Sequence, residues 1–147
     1  MIRCVVFDFD GTLVDSNEIK RRAFGEVTAT WDPTGARLAA ALDGPGDRFD
    51  VLARFARAVA DAGELPSGQR PDAWARSLAE AYGRICEDAI AAAPEIPGAG
   101  EALLWLRERG VARFVSSATP QLPLERVVAR RGLAPWLDAI HGRPASK

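Results

Sequence analysis

Val5-Val6-Phe7-Asp8-Phe9-Asp10-Gly11-Thr12-Leu13-Val14-Asp15-Ser16 sets an apolar run directly before two carboxylates and a glycine. Residues 2–7 are β-branched, aromatic and apolar and end in turn residues, the pattern of a strand buried on both faces. In open α/β sheets the chemistry sits outside the carboxyl ends of such strands. Asp8 and Asp10, two positions apart, would face one way in an extended chain, but Gly11 marks the start of a turn. Read alone, Asp10-Gly11-Thr12 also fits an ordinary turn.

Beyond Ser16 the hydrophobic spacing changes to that of helices. Residues 17–30 predict a first helix with Ile19, Ala23 and Val27 on one face, stopped by Asp32-Pro33. Phe49, Leu52, Ala53, Ala56, Val59 and Ala60 follow helical spacing, as do Trp74, Leu78, Ala81, Tyr82, Ile85 and Ala89, with a loop over 61–68 between the two runs. Residues 99–109 predict a helix ended by Gly110, 111–115 a second strand, 122–131 another helix and 139–141 a short third strand. At this length the chain suits one domain, or a small α/β core carrying an insertion.

A chain of 147 residues that is 48% hydrophobic can bury a real core. Its net charge of −1 argues against a nucleic-acid or membrane surface, both of which favour a basic excess. Arginine supplies all the basic residues except Lys20 and Lys147, a compositional bias without functional content. Cys4 and Cys86 lack metal-ligand or redox spacing and read as reduced thiols. The amino terminus has no signal-peptide layout and no apolar run reaches membrane-spanning length, so a cytoplasmic location is expected. Oligomeric state is left open.

The string from Val5 to Ser16 resembles motif one of the haloacid dehalogenase-like superfamily. The resemblance implies a Rossmann-like parallel-sheet core formed by residues 1–16 and 94–147, with an inserted α-helical cap over 17–93. It implies that Asp8 is the nucleophile that takes a phosphoryl group and that Asp10 is the general acid and then base. Two acids with divided roles make chemical sense, because one carboxylate must attack while a second carboxyl protonates the departing alkoxide. The resemblance further implies Mg²⁺, held by the Asp8 carboxylate and the Asp10 backbone carbonyl, with Gly11 and Thr12 in the phosphate-binding loop.

Phe114-Val115-Ser116-Ser117-Ala118-Thr119-Pro120 is a strand running into a hydroxyl-rich turn and is similar to motif two, a hydroxyl at a strand end that bonds the transferring phosphoryl group. Ser117 takes this role, with the Ala118 backbone N–H as a further donor and Ser116 as the alternative; a helix-capping serine is the competing reading. Gly142-Arg143-Pro144-Ala145-Ser146-Lys147 resembles the Gly-x-Pro-x-x-Lys of motif three, which makes Lys147 the cation near nucleophile and phosphate. Arg48, in the expected cap, is a candidate for the anionic remainder of the substrate, against a solvated helix start. Asn17 and Lys20 are weaker candidates, and His141 reads as structural.

No acidic pair follows Lys147, although the family carries a further strand with such a pair. The expectation is a truncated phosphatase with weak metal binding and a first strand left as an exposed edge. Its reaction would be Mg²⁺-dependent hydrolysis of a small phosphorylated metabolite, as in the phosphoglycolate-phosphatase-like branch. A non-catalytic remnant or binding module is the alternative, and a sugar-phosphate mutase is disfavoured because the cap region contains no histidine.

Overall fold

The computed structural model describes residues 1–144. In chain order these form β1 (Cys4–Phe7), α1 (Asn17–Thr28), α2 (Ala36–Leu42), α3 (Arg48–Asp61), α4 (Pro71–Ala92), α5 (Ala99–Glu108), β2 (Ala112–Pro120), α6 (Gln121–Arg130), a 3₁₀ turn (Ala134–Trp136) and β3 (Ala139–Arg143). Two compact units result: Met1–Ile19 together with the chain from Cys86 onward, and Lys20–Ile85.

The first unit is built on a parallel sheet of order β1-β2-β3. Parallel neighbours cannot be joined by a tight turn and require a crossover. Helix α6 provides it between β2 and β3 and packs on both strands, and α5 packs on β2. Leu103 and Leu106 of α5, Leu124, Val127 and Val128 of α6, and Val115 of β2 are buried and make the core. Helix α5 ends as its sequence predicts, with the Gly110 and Val111 N–H groups bonding the Arg107 and Leu106 carbonyls at 3.1 and 3.0 Å.

Two expectations for this unit need correction. The first strand is not buried on both faces: Cys4 and Val6 are exposed, Val6 to 59%. Among the described residues β1 pairs only with β2, so it is an edge strand, and its alternating side chains turn one row to solvent. The second strand extends well past Val115, because Pro120 pairs with Arg143 beyond an irregularity in the ladder after Ser116. The hydroxyl residues expected in a turn therefore stand on the carboxyl-terminal extension of β2.

The second unit is helical. A capping box starts α3, in which Asp47 Oδ1 accepts the Phe49 and Asp50 N–H groups at 2.7 and 3.4 Å while Asp50 Oδ2 accepts the Asp47 N–H at 2.9 Å. The apolar face of α3, with Leu52, Phe55, Ala56 and Val59, is buried. Trp74 meets Trp31 edge-on at 4.8 Å and Phe55 at 6.0 Å, and Phe24 lies 4.4 Å from Tyr82. The short, alanine-rich α2 is not foreseen from the sequence. Asp32, expected only to stop the first helix, is buried and accepts the Leu38 N–H at 2.9 Å, while Arg54 donates to the Ala41, Gly44 and Pro45 carbonyls past the other end of α2. Side-chain hydrogen bonds thus hold both ends of a helix that has little periodic signal of its own.

Candidate active site

After Phe7 the chain folds back on itself. The Leu13 and Val14 N–H groups bond the Phe9 carbonyl at 3.0 and 3.2 Å, and the Gly11 N–H bonds the Val14 carbonyl at 2.7 Å. Gly11 has φ +74°, a left-handed conformation that favours glycine, and a Cβ there would displace the Asn17 side-chain amide. Phe9, Leu13 and Val14 anchor the turn in the core, which leaves Asp8 and Thr12 exposed. A second brace comes from the returning chain: Val14 pairs antiparallel with Glu95, the Asp15 N–H bonds the Pro94 carbonyl at 3.0 Å and the Ile96 N–H the Leu13 carbonyl at 3.2 Å. Arg131 fixes that segment by donating to the Ile90 and Ala93 carbonyls at 2.8 and 2.7 Å; burial pushes its pKa down.

The parallel register that sets Phe7 beside Val115 brings the carboxyl ends of β1 and β2 together. Asp8 Oδ1 accepts the Phe9 N–H at 2.7 Å, which orients an exposed carboxylate. Asp10 is half-buried. Its Oδ1 accepts the Ser16 hydroxyl at 2.7 Å, and its Oδ2 accepts the hydroxyls of Thr119 at 3.1 Å and Ser117 at 3.4 Å. The Thr119 N–H in turn donates to Ser117 Oγ at 3.1 Å.

Asp8, Asp10, Gly11, Thr12, Ser117 and Ala118 thus gather at the carboxyl ends of two adjacent strands. Ser116 instead pairs with exposed His141 on β3. Arg48 lies in the helical unit, where its guanidinium sits 4.8 Å over the Phe49 ring and 5.8 Å from the Tyr82 ring. Lys147 falls outside the described residues. Ser16 and Thr119 lie within the two quoted motifs but carry no role predicted from sequence. The available signals were that Ser16 is a hydroxyl closing the turn, and that Thr119 stands two residues past Ser117, the spacing that keeps side chains on one strand face.

The Asp8 carboxylate and the Asp10 backbone carbonyl are hard oxygen donors of the kind Mg²⁺ prefers. Among the described residues no group of three or more His, Cys, Asp or Glu side chains could hold a metal. The donors present therefore fit Mg²⁺ in type. No helix among the described residues is long and apolar enough to cross a membrane.

A family model described as haloacid dehalogenase-like hydrolase matches residues 2–146. The chain is 30% identical over 138 residues to the phosphoglycolate phosphatase of Pseudomonas fluorescens, covering 94% of this chain and 46% of that protein. Among solved structures, CbbY from Rhodobacter sphaeroides in complex with phosphate superposes with a TM-score of 0.66 at 24% identity, covering 97% of this chain and 64% of that one. A structure described as a predicted phosphoglycolate phosphatase from Haemophilus somnus gives 0.68 at 19% identity, with 96% and 62% covered. The chain spans about half the length of the curated relative it matches.

Proposed function

The chain belongs to the haloacid dehalogenase-like hydrolases, and on that premise we propose that it hydrolyses a small phosphomonoester through an aspartyl-phosphate on Asp8. The observation that carries the reading is the pairing of two differently held carboxyls. Asp8 is exposed and oriented by a backbone N–H, a group that can only donate and so suits a carboxylate that stays ionised. Asp10 is held by hydroxyls, which both donate and accept and so suit a carboxyl that gains and loses a proton.

In this mechanism an Asp8 oxygen attacks phosphorus, the bond to the ester oxygen breaks, and the departing alkoxide takes the proton of Asp10. Asp10, now ionised, accepts a proton from water as that water attacks the phosphorus of the aspartyl-phosphate, releasing phosphate and restoring Asp8. Ser117 can turn its hydroxyl from Asp10 to a phosphoryl oxygen, with the Ala118 N–H as a second donor. Bound Mg²⁺ supplies positive charge that offsets repulsion between Asp8 and the anionic phosphate. It would be held by the Asp8 carboxylate and the Asp10 carbonyl. In this reading the helical insert over 17–93 is the substrate-selecting cap, with Arg48 the candidate for the anionic remainder of the substrate. The relative's name makes phosphoglycolate the first substrate to try.

The test is turnover of p-nitrophenyl phosphate and phosphoglycolate in Mg²⁺, after chelation, and with Asp8→Asn. Turnover lost on chelation and in the variant, with an acid-stable phosphoryl adduct trapped on Asp8, supports the reading. A folded chain that turns over neither substrate is a non-catalytic module instead.

A further inference from the structure

We propose that Thr119 is a positioning residue for proton transfer at Asp10, an inference that rests on the phosphatase reading above. Thr119 reaches the pair Asp10 and Ser117 twice. Its hydroxyl donates to Asp10 Oδ2 at 3.1 Å, closer than the 3.4 Å of Ser117, and its backbone N–H donates to Ser117 Oγ at 3.1 Å. That second bond occupies a lone pair of the Ser117 oxygen and helps aim its hydroxyl hydrogen at Asp10.

The geometry requires a second anchor. Ser16 holds Oδ1 at 2.7 Å, but the Ser117 hydroxyl reaches Oδ2 only at 3.4 Å and leaves it when it turns to the phosphoryl group, so Oδ2 needs a closer hold to keep the side chain in one χ1 rotamer and one carboxyl plane. Thr119 gives Oδ2 that closer hold at 3.1 Å and so fixes both the rotamer and the plane of the group. A threonine hydroxyl donates while Asp10 is ionised and can accept once Asp10 carries the proton, so the anchor survives both halves of the reaction. A backbone N–H could not reverse in this way. The extension of β2 beyond Val115 is what delivers the residue: Thr119 lies between the Ser116 and Pro120 pairings with β3, on strand rather than in a free turn.

The experiment compares Thr119→Val, which keeps the branched shape and loses the hydroxyl, with Thr119→Ser, which keeps the hydroxyl. A proton donor matters for an alkoxide leaving group and little for p-nitrophenolate, and kcat/KM reports the steps through leaving-group departure. In Thr119→Val, kcat/KM should fall about ten-fold on phosphoglycolate and less than about two-fold on p-nitrophenyl phosphate, with Thr119→Ser near wild type on both. Independently of turnover, three-bond couplings to Asp10 Cγ should report one χ1 rotamer in the wild-type chain and in Thr119→Ser, and averaging in Thr119→Val. Thr119→Ala read in the same way replaces the valine variant if that one does not fold. Equal losses on both substrates, or a single Asp10 rotamer without the hydroxyl, would overturn the proposal. If the folded wild-type chain turns over neither substrate, the phosphatase reading fails by itself and the couplings alone decide the role of Thr119.

Discussion

Ser16 donates its hydroxyl to Asp10 Oδ1 at 2.7 Å while having no exposed surface of its own. The last residue before α1 is therefore tied to the carboxyl that follows β1, and the turn is closed by a side chain as well as by its backbone. Ser16→Ala removes a short bond to a group that ionises, worth about 1.5–3 kcal/mol where one partner is charged. It should lower kcat/KM on an alkyl phosphate about ten-fold and destabilise the chain by about 1–3 kcal/mol in urea unfolding. An unchanged urea midpoint would show that water replaces the hydroxyl without cost.

On the sheet, Asp138 Oδ2 accepts the Arg113 backbone N–H at 2.7 Å and its guanidinium at 3.0 and 3.2 Å. The backbone bond first, and the guanidinium second, hold the Asp138 carboxyl below its ordinary value of 3.8. With the folded pKa depressed, the stabilisation is fully present above the unfolded value and is lost as pH falls through the lower folded value. Asp138→Asn should therefore flatten the acid limb of the stability profile between about pH 5 and pH 2, measured as urea midpoint against pH. A variant that loses stability as steeply as the wild-type chain on acidification would remove Asp138 from the account.

Gly142 passes so close to the start of α6 that a Cβ would stand 2.7 Å from Gln121 Cα and 2.7 Å from the Thr119 carbonyl oxygen. Both are backbone atoms and cannot swing aside. The same approach lets the Gln121 amide pair with β3 as a strand would, accepting the Gly142 N–H at 2.5 Å and donating to the Ile140 carbonyl at 3.1 Å. Gly142→Ala should cost about 1–3 kcal/mol, since the displaced segment carries Thr119. Differential scanning calorimetry reads the loss, and a melting temperature equal to wild type would contradict this packing.

The turn from Asp8 to Ser16 was legible in the sequence because its parts are consecutive: an apolar strand, two acids and a glycine whose backbone angle admits little else. Ser117 was legible as a hydroxyl following β-branched and aromatic residues. What could not be read was which hydroxyls would turn toward Asp10. Ser16 reaches it because the turn folds back through the Phe9 and Val14 carbonyls, and Thr119 because the register of β1 on β2 sets the strand ends side by side. The exposure of Val6 could not be read from the run Cys-Val-Val-Phe itself, which looks the same in the middle of a sheet as at its rim; the expectation of an exposed first strand came from the family resemblance. Helix α2 escaped because alanines give little amphipathic contrast, and its ends are fixed by Asp32 and Arg54 from outside the helix.

The antiparallel pairing of Val14 with Glu95 means that the chain leaves the sheet and comes back to it at one doorway. Whatever is spliced between Asp15 and Pro94 meets the same two fastened ends, and the entropy of closing such an excursion grows only with the logarithm of its length. Evolution can therefore lengthen, shorten or exchange the helical insert without renegotiating the strands that carry Asp8 and Asp10. On the proposed function, substrate preference can then change with the insert while Asp8 and Asp10 keep their places.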